Sequence, residues 1–376
     1  MPEAAAPKPS PDPVTPAVSD GESDGMSDAV SGSVSEGVAY GPGLADAVLG
    51  GDRRALAKAI TLVESTRDDH RAAAETLLDK LLPRAGRSLR LGVTGTPGVG
   101  KSTFINRLGT GLVDDGRRLA VLAVDPSSRT TGGSILGDKT RMIDLAGREN
   151  VFIRPSPTAG VSGGVAIRTR DAITVCEAAG FDTIIVETVG VGQSETAVAG
   201  LTDMFLLLVA PGGGDDLQGI KRGVMELADL VAINKADGDM AAPANRTAAD
   251  YRAALHLVRP KRPGFETAVV TCSSVTGDGL DDLWQRLVDL HRRLQADGEL
   301  DRLRSRQAVE QLDTELQALL YAQVGRSPDF RRLHDDVRAE VADGRRSVSA
   351  AARFLVAVAF GDDHSGGTGS NVGSSR

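Results

Sequence analysis

Between an apolar, β-rich run, Leu89 to Thr94, and a stretch with apolar residues at helical spacing, Phe104, Ile105 and Leu108, stand Gly95-Thr96-Pro97-Gly98-Val99-Gly100-Lys101-Ser102, followed by Thr103. Glycines let such a turn curl with its N–H groups pointing inward, and the N-terminus of the helix behind it adds positive potential. A lysine and a serine at these offsets supply a cation for the β- and γ-phosphates and a hydroxyl for Mg²⁺. A plain glycine-rich turn would leave Lys101 and Ser102 unexplained. The string therefore predicts a phosphate-binding loop made of Gly95 through Thr103.

A loop of this kind needs a sheet behind it, and the chain supplies one. From about Ser88 to Ser273, short β-rich runs alternate with helical ones. The strand candidates are Leu89 to Thr94, Leu119 to Val124, Val151 to Arg154, Thr183 to Glu187, Met204 to Ala210, Leu230 to Asn234 and Thr267 to Cys272. Most are nearly continuous apolar runs, as expected of parallel strands covered by helices on both faces. The expected fold is α/β, a mainly parallel doubly wound sheet flanked by N-terminal helices and a C-terminal helical arm. Before the sheet, Leu44, Val48, Leu56, Ala59, Ile60 and Val63, then Leu77, Leu78, Leu81 and Leu82, predict two helices. After it, Leu280, Leu283, Trp284, Leu287, Leu290 and Leu294 form one stripe, and Leu303, Leu312, Leu316, Leu319 and Leu320 another.

Residues 1–40 hold six prolines before position 17 and seven acids against Lys8, which predicts a disordered acidic tail. The expected organisation is that tail, a helical segment at 41–87, a nucleotide-binding domain at 88–298, a helical segment at 299–360 and a second disordered tail at 361–376. The net charge is −8, of which −6 falls in the first 40 residues. The near-neutral remainder has no broad basic field for nucleic acid or an anionic membrane, and 3% aromatics make a poor stacking surface for single strands. Cys176 and Cys272 form neither a disulfide framework nor a CxxC pair, which fits a cytoplasmic setting. The richest apolar runs, Met204 to Ala210 and Phe354 to Phe360, are too short to span a bilayer.

The base is indicated by Asn234-Lys235-Ala236-Asp237, which follows the apolar run Leu230 to Ile233. A carboxylate accepts both the N1–H and the 2-amino hydrogens of guanine, whereas adenine offers it an unprotonated ring nitrogen. Asp237 therefore selects guanine, Asn234 braces the loop, and the Lys235 stem covers a face of the base. Ser273 and Ser274, at another strand end, are candidates for a backbone contact to the guanine oxygen. Mg²⁺ takes hard oxygen ligands, and the acids at strand ends, Asp125 and Glu187, are candidates beside Ser102, with Asp138 in the glycine-rich linker as a further carboxylate. The stretch Pro211 to Lys221 is a glycine-rich loop carrying Asp215, Gln218 and Lys221, types that suit a ligand or solvent equally.

Together the phosphate loop, Asp125-Pro126-Ser127-Ser128, Gly133-Ser134-Ile135-Leu136-Gly137-Asp138-Lys139, Glu187-Thr188-Val189-Gly190-Val191-Gly192-Gln193-Ser194-Glu195 and Asp216-Leu217-Gln218-Gly219-Ile220-Lys221 resemble the MeaB family of P-loop GTPases, also called the ArgK type. The resemblance covers about residues 40 to 345. It implies a homodimeric GTPase chaperone of an adenosylcobalamin-dependent mutase, methylmalonyl-CoA mutase foremost, whose nucleotide state gates cofactor loading and removal of damaged cofactor. The cobalamin is then held by the partner. The resemblance also implies Ser102, Asp125, Asp138 and Glu187 as the magnesium set, and Asn234, Lys235 and Asp237 as the base set. It makes Asp215 and Lys221 part of a third switch that the mutase rearranges, and residues 299–360 a dimerisation segment.

Phosphoryl transfer in such a site proceeds by positioning and electrostatics, with Lys101 central and Gln193 and Lys221 as candidates for orienting the attacking water. Two other readings predict different observations. A nickel-type metal-insertion GTPase predicts metal ligands, whereas His70, His256, His291, His334 and His364 are scattered. A nucleotide-locked scaffold predicts tight GTP binding without phosphate release.

Overall fold

The computed structural model describes residues 41, 43–125, 142–157, 164–188, 194–212, 222–262 and 264–360. Its strands are β1 (Leu89–Gly95), β2 (Leu119–Asp125), β3 (Val151–Pro157), β4 (Thr183–Thr188), β5 (Met204–Val209), β6 (Leu230–Ile233) and β7 (Ala268–Thr271). Around and between them run α1 (Gly43–Leu49), α2 (Arg53–Val63), α3 (Asp68–Leu81), α4 (Lys101–Asp114), α5 (Ile143–Ala146), α6 (Gly164–Ala178) and α7 (Ser194–Ala199). The remaining helices are α8 (Arg222–Leu227), α9 (Ala241–Leu255), α10 (Leu280–Ala296), α11 (Glu299–Val324), α12 (Pro328–Ala342) and α13 (Val348–Phe360).

The seven strands form one sheet in the order β3-β2-β4-β1-β5-β6-β7, and every pairing is parallel. Strand β1 lies at the centre and is buried at each position, its one charge, Arg90, being paired with Glu177 at 2.8 Å. On one face Phe104, Ile105, Leu108 and Leu112 of α4 and Leu280, Leu283, Leu287 and Leu294 of α10 pack against Leu91, Val93, Leu206 and Ile185. On the other, Tyr251, Ala244 and Ala248 of α9 cover Leu207, Val209, Val231 and Ile233. All seven predicted strands are present, with ends shifted by a residue or a few.

The N-terminal segment departs from expectation, with three helices in place of two. Gly51 adopts φ 81°, and Asp52 caps the next helix by accepting the Ala55 N–H at 2.7 Å, so one helical stripe is cut where its spacing continues. The arm is fastened at the opposite end of the sheet from the phosphate loop. Arg304 on α11 makes a two-pronged bond to Asp203, at 2.8 and 2.7 Å, and donates to the Ser88 carbonyl at 2.6 Å. Burial alone would raise the Asp203 carboxyl; the nearby His291 ring, at 3.7 Å, and the Arg304 hydrogen bonds, with the Arg304 and Arg90 charges, more than offset it and hold the pKa at about 2. Among the described residues no helix is long and apolar enough to cross a membrane.

Candidate functional site

The parallel arrangement brings the carboxyl ends of β1, β2, β4, β6 and β7 to one edge, where ligands of open α/β sheets bind. Strand β1 delivers Gly95, whose backbone runs so close to β5 that a Cβ would stand 2.4 Å from the Leu208 carbonyl oxygen. Gly100 caps α4 at φ 95°, a conformation that side chains disfavour, and turns the loop into the helix that starts with Lys101, Ser102 and Thr103.

Lys101 is folded back on its own loop: Nζ donates to the Gly95 carbonyl at 2.7 Å and to that of Thr96 at 3.4 Å. Burial draws its ammonium below the ordinary lysine value, while the nearby charges of Glu187 and Glu195 act in the opposite sense. Glu187, the penultimate residue of β4, is buried, and its Oε1 accepts from Ser102 Oγ at 3.3 Å. Glu195, a buried acid on α7 in electrostatic reach of Lys101, carried no sequence signal beyond its presence in a family-like string.

The predicted base residues are joined to this loop by hydrogen bonds. Asn234 is buried; its Nδ2 donates to the Val99 carbonyl at 2.9 Å, and its Oδ1 accepts from Ser274 Oγ at 2.7 Å and from the Ser274 N–H at 3.1 Å. Lys235 Nζ donates to the Gly98 carbonyl at 2.7 Å. Its φ of 57° is the single positive value at a non-glycine position among the described residues, strain of the kind that collects at functional sites. Asp237 Oδ1 accepts from Ser273 Oγ at 2.6 Å, and that hydroxyl in turn accepts from the N–H groups of Val275 and Thr276 at 3.2 and 3.1 Å.

The Ser273 and Ser274 N–H groups differ from expectation. Ser273 donates to the Asp278 carbonyl at 2.9 Å and Ser274 to Asn234, so both are engaged inside the protein. Their side chains instead orient Asp237 and Asn234. Asp125 ends β2 at the same edge, and its side chain lies outside the described residues. Asp138, Gln193, Asp215 and Lys221 also lie outside them.

Residues 56–329 match the family model described as methylmalonyl-CoA mutase-associated GTPase MeaB. The GTPase ArgK of Escherichia coli is 49% identical over 76% of this chain and 86% of its own length. The mouse protein named methylmalonic aciduria type A homolog, mitochondrial, is 44% identical over 83% of this chain and 78% of its own. A crystal structure titled LAO/AO transport system kinase superposes with a TM-score of 0.67 at 39% identity, covering 84% of this chain and 96% of that one. With a phosphate loop at the centre of a parallel sheet and a guanine-type motif tied to it, the chain belongs to the MeaB family of P-loop GTPases.

Proposed function

We propose that this GTPase binds an adenosylcobalamin-dependent acyl-CoA mutase, methylmalonyl-CoA mutase foremost, and that its nucleotide state gates loading of the cofactor and protection or reactivation of the enzyme. The observation that carries this reading is the family match over residues 56–329, which runs through the sheet and into α12. The mouse relative's name, which refers to methylmalonic aciduria, is in keeping with a methylmalonyl-CoA mutase as that partner. The cobalamin belongs to the mutase, and the site of this chain is in the cytoplasm.

In this reading Gly95 through Thr103 wrap the phosphates, and Lys101 leaves the Gly95 carbonyl for the β- and γ-phosphate oxygens. Asn234 and Lys235 hold the base pocket against the loop, and Asp237, aimed by Ser273, accepts from guanine. A hydroxyl and a buried carboxylate converging at the phosphate edge suit a hard cation, as Ser102 and Glu187 do here. Ser102, Glu187, Asp125 and Asp138 would hold Mg²⁺, which supplies charge neutralisation for the transferring phosphoryl group. Loop N–H groups and Lys101 stabilise the remaining charge while a water attacks in line, and Gln193 or Lys221 orients that water. Asp215 and Lys221 form a third switch completed by the mutase.

Residues 299–360 act as the dimerisation segment. Val309, Leu312, Leu316 and Leu320 leave an apolar stripe exposed along α11, and Val356 and Phe360, one turn apart, are exposed together on α13. The deciding experiment is the GTPase rate of the full chain with and without methylmalonyl-CoA, ethylmalonyl-CoA and isobutyryl-CoA mutases. One of them is expected to form a complex and to stimulate turnover; no complex and no stimulation with any would defeat the chaperone reading.

A further inference from the structure

Thr94 and Thr188 are both fully buried, on adjacent central strands, with their hydroxyl oxygens 2.8 Å apart. Each stands at the exit of its strand: Thr94 precedes Gly95 of the phosphate loop, and Thr188 follows Glu187. The register of β1 with β4 runs from Leu89 opposite Thr183 to Val93 opposite Glu187 and stops there. Beyond that last pair, the threonine bridge joins the two strand exits.

Among the described residues, nothing in the packing asks for a hydroxyl at either place. The neighbouring positions Val93, Ile184, Ile185 and Val186 are apolar and buried, and valine has threonine's shape without a polar group. A buried hydroxyl weakens a core unless it is hydrogen bonded, and replacing both partners of such a bond by apolar groups of the same shape is nearly neutral. Alternation along β4 sends the neighbouring Glu187 to the opposite face of the sheet, where it meets Ser102. A link through Thr188 therefore sets where the Glu187 carboxylate stands relative to the loop that carries Ser102.

We propose that the Thr94–Thr188 hydroxyl bridge is a positioning device for GTP hydrolysis, locking the exit of β4 to the phosphate loop so that Glu187 and Ser102 are held together for a divalent cation. This rests on the reading of Ser102 and Glu187 as magnesium ligands.

The test compares wild type with Thr94→Val/Thr188→Val and Thr94→Ser/Thr188→Ser. It reads thermal unfolding, the Mg²⁺ dependence of binding of a fluorescent non-hydrolysable GTP analogue, and kcat and KM for GTP. The valine pair should unfold near the wild-type temperature, need about tenfold more Mg²⁺, the equivalent of about one lost hydrogen bond, and lose kcat with little change in KM. The serine pair should behave as wild type. A valine pair with wild-type Mg²⁺ demand and kcat, or a serine pair as impaired as the valine pair, would overturn the proposal. Should the valine pair fail to fold, each single valine variant, corrected for its folded fraction, must raise the Mg²⁺ demand by a similar factor; unchanged or dissimilar demands overturn it. Analogue binding by wild type that ignores Mg²⁺ would instead remove the magnesium assignment itself.

Discussion

The Asn234 side chain donates to the Val99 carbonyl at 2.9 Å and thereby ties the strand end that carries the base motif to the middle of the phosphate loop. The same amide accepts from Ser274, so a single buried side chain joins three chain segments. Asn234→Ala leaves the Val99 carbonyl and the Ser274 hydroxyl without their partner, at a cost of about 1–3 kcal/mol for each buried group. The expected result is a lower melting temperature together with a loss of about 10²-fold or more in GTP and GDP affinity by calorimetry. Wild-type affinity in the folded variant would show that the brace is not needed for the site.

In the proposed site Asp237 would accept from guanine while Ser273, whose hydroxyl donates to its carboxylate, holds it in place. Asp237→Asn keeps the shape but replaces a double acceptor by one acceptor and one donor, which matches the 2-oxo group and N1–H of xanthine. Affinity is expected to move from GTP toward xanthosine triphosphate, with a discrimination change of roughly 10²-fold or more, since a wrong partner leaves buried polar groups unpaired. Ser273→Ala, which frees the carboxylate that the hydroxyl holds at 2.6 Å, should weaken GTP binding without the switch to xanthine. Competition binding with the two nucleotides separates these outcomes.

Lys101 donates to carbonyls of its own loop, from which, in the proposed function, an arriving phosphate would withdraw it. Lys101→Ala removes the one mobile cation of the loop, and turnover should fall by at least about 10²-fold, in the range found when a group that stabilises transition-state charge is lost. Phosphate release at the wild-type rate would refute the loop's assigned role.

The sheet was legible because its strands are buried on both faces, so runs such as Met204 to Val209 read as apolar without interruption. Lys101, Asn234 and Asp237 stand out in the sequence as candidates because a phosphate or guanine site calls for particular donors and acceptors at fixed offsets from strand ends, and the structure brings the three segments together. The break at Gly51 was not, since helical spacing continues across it and only the left-handed φ and the Asp52 cap end the first helix. The inward use of Ser273 and Ser274 was hidden for a different reason: a serine at a strand end serves a ligand or a neighbouring side chain equally well, and the choice depends on where Asn234 and Asp237 arrive in three dimensions. Thr94 and Thr188 lie 94 positions apart, and neither reads as polar until the register sets them side by side.

The apolar stripe on α11 gives the dimer proposal a direct check. Leu312 is 64% and Leu316 52% exposed, on the same helix face one turn apart. Burying leucines of this kind is worth about 1.5–3 kcal/mol each, so Leu312→Glu with Leu316→Glu should drive a dimer to monomer while leaving nucleotide binding intact. Light scattering of both proteins over a concentration series decides it; equal masses for variant and wild type would place any dimer contact elsewhere.

Where α11 crosses α6, Arg170 donates to Gln311 at 3.1 Å and Asp171 faces the charge of Glu315. Burial first, and then the Glu315 carboxylate, raise the Asp171 pKa from 3.8 to about 7, against the smaller pull of Arg170. An acid that holds its proton more tightly when folded stabilises the fold fully below its unfolded pKa, and that contribution is lost as pH rises through the folded value. Stability should therefore decline between about pH 4 and pH 7, and above pH 7 the chain carries the cost of a charge in a partly buried place beside another carboxylate. Asp171→Asn keeps the size and removes the charge. It should gain of the order of 1 kcal/mol at pH 8, a few degrees in melting temperature, and should show a flatter pH profile than wild type. Melting curves that fall in parallel for the two proteins from pH 5 to pH 8 would mean that another group sets the dependence.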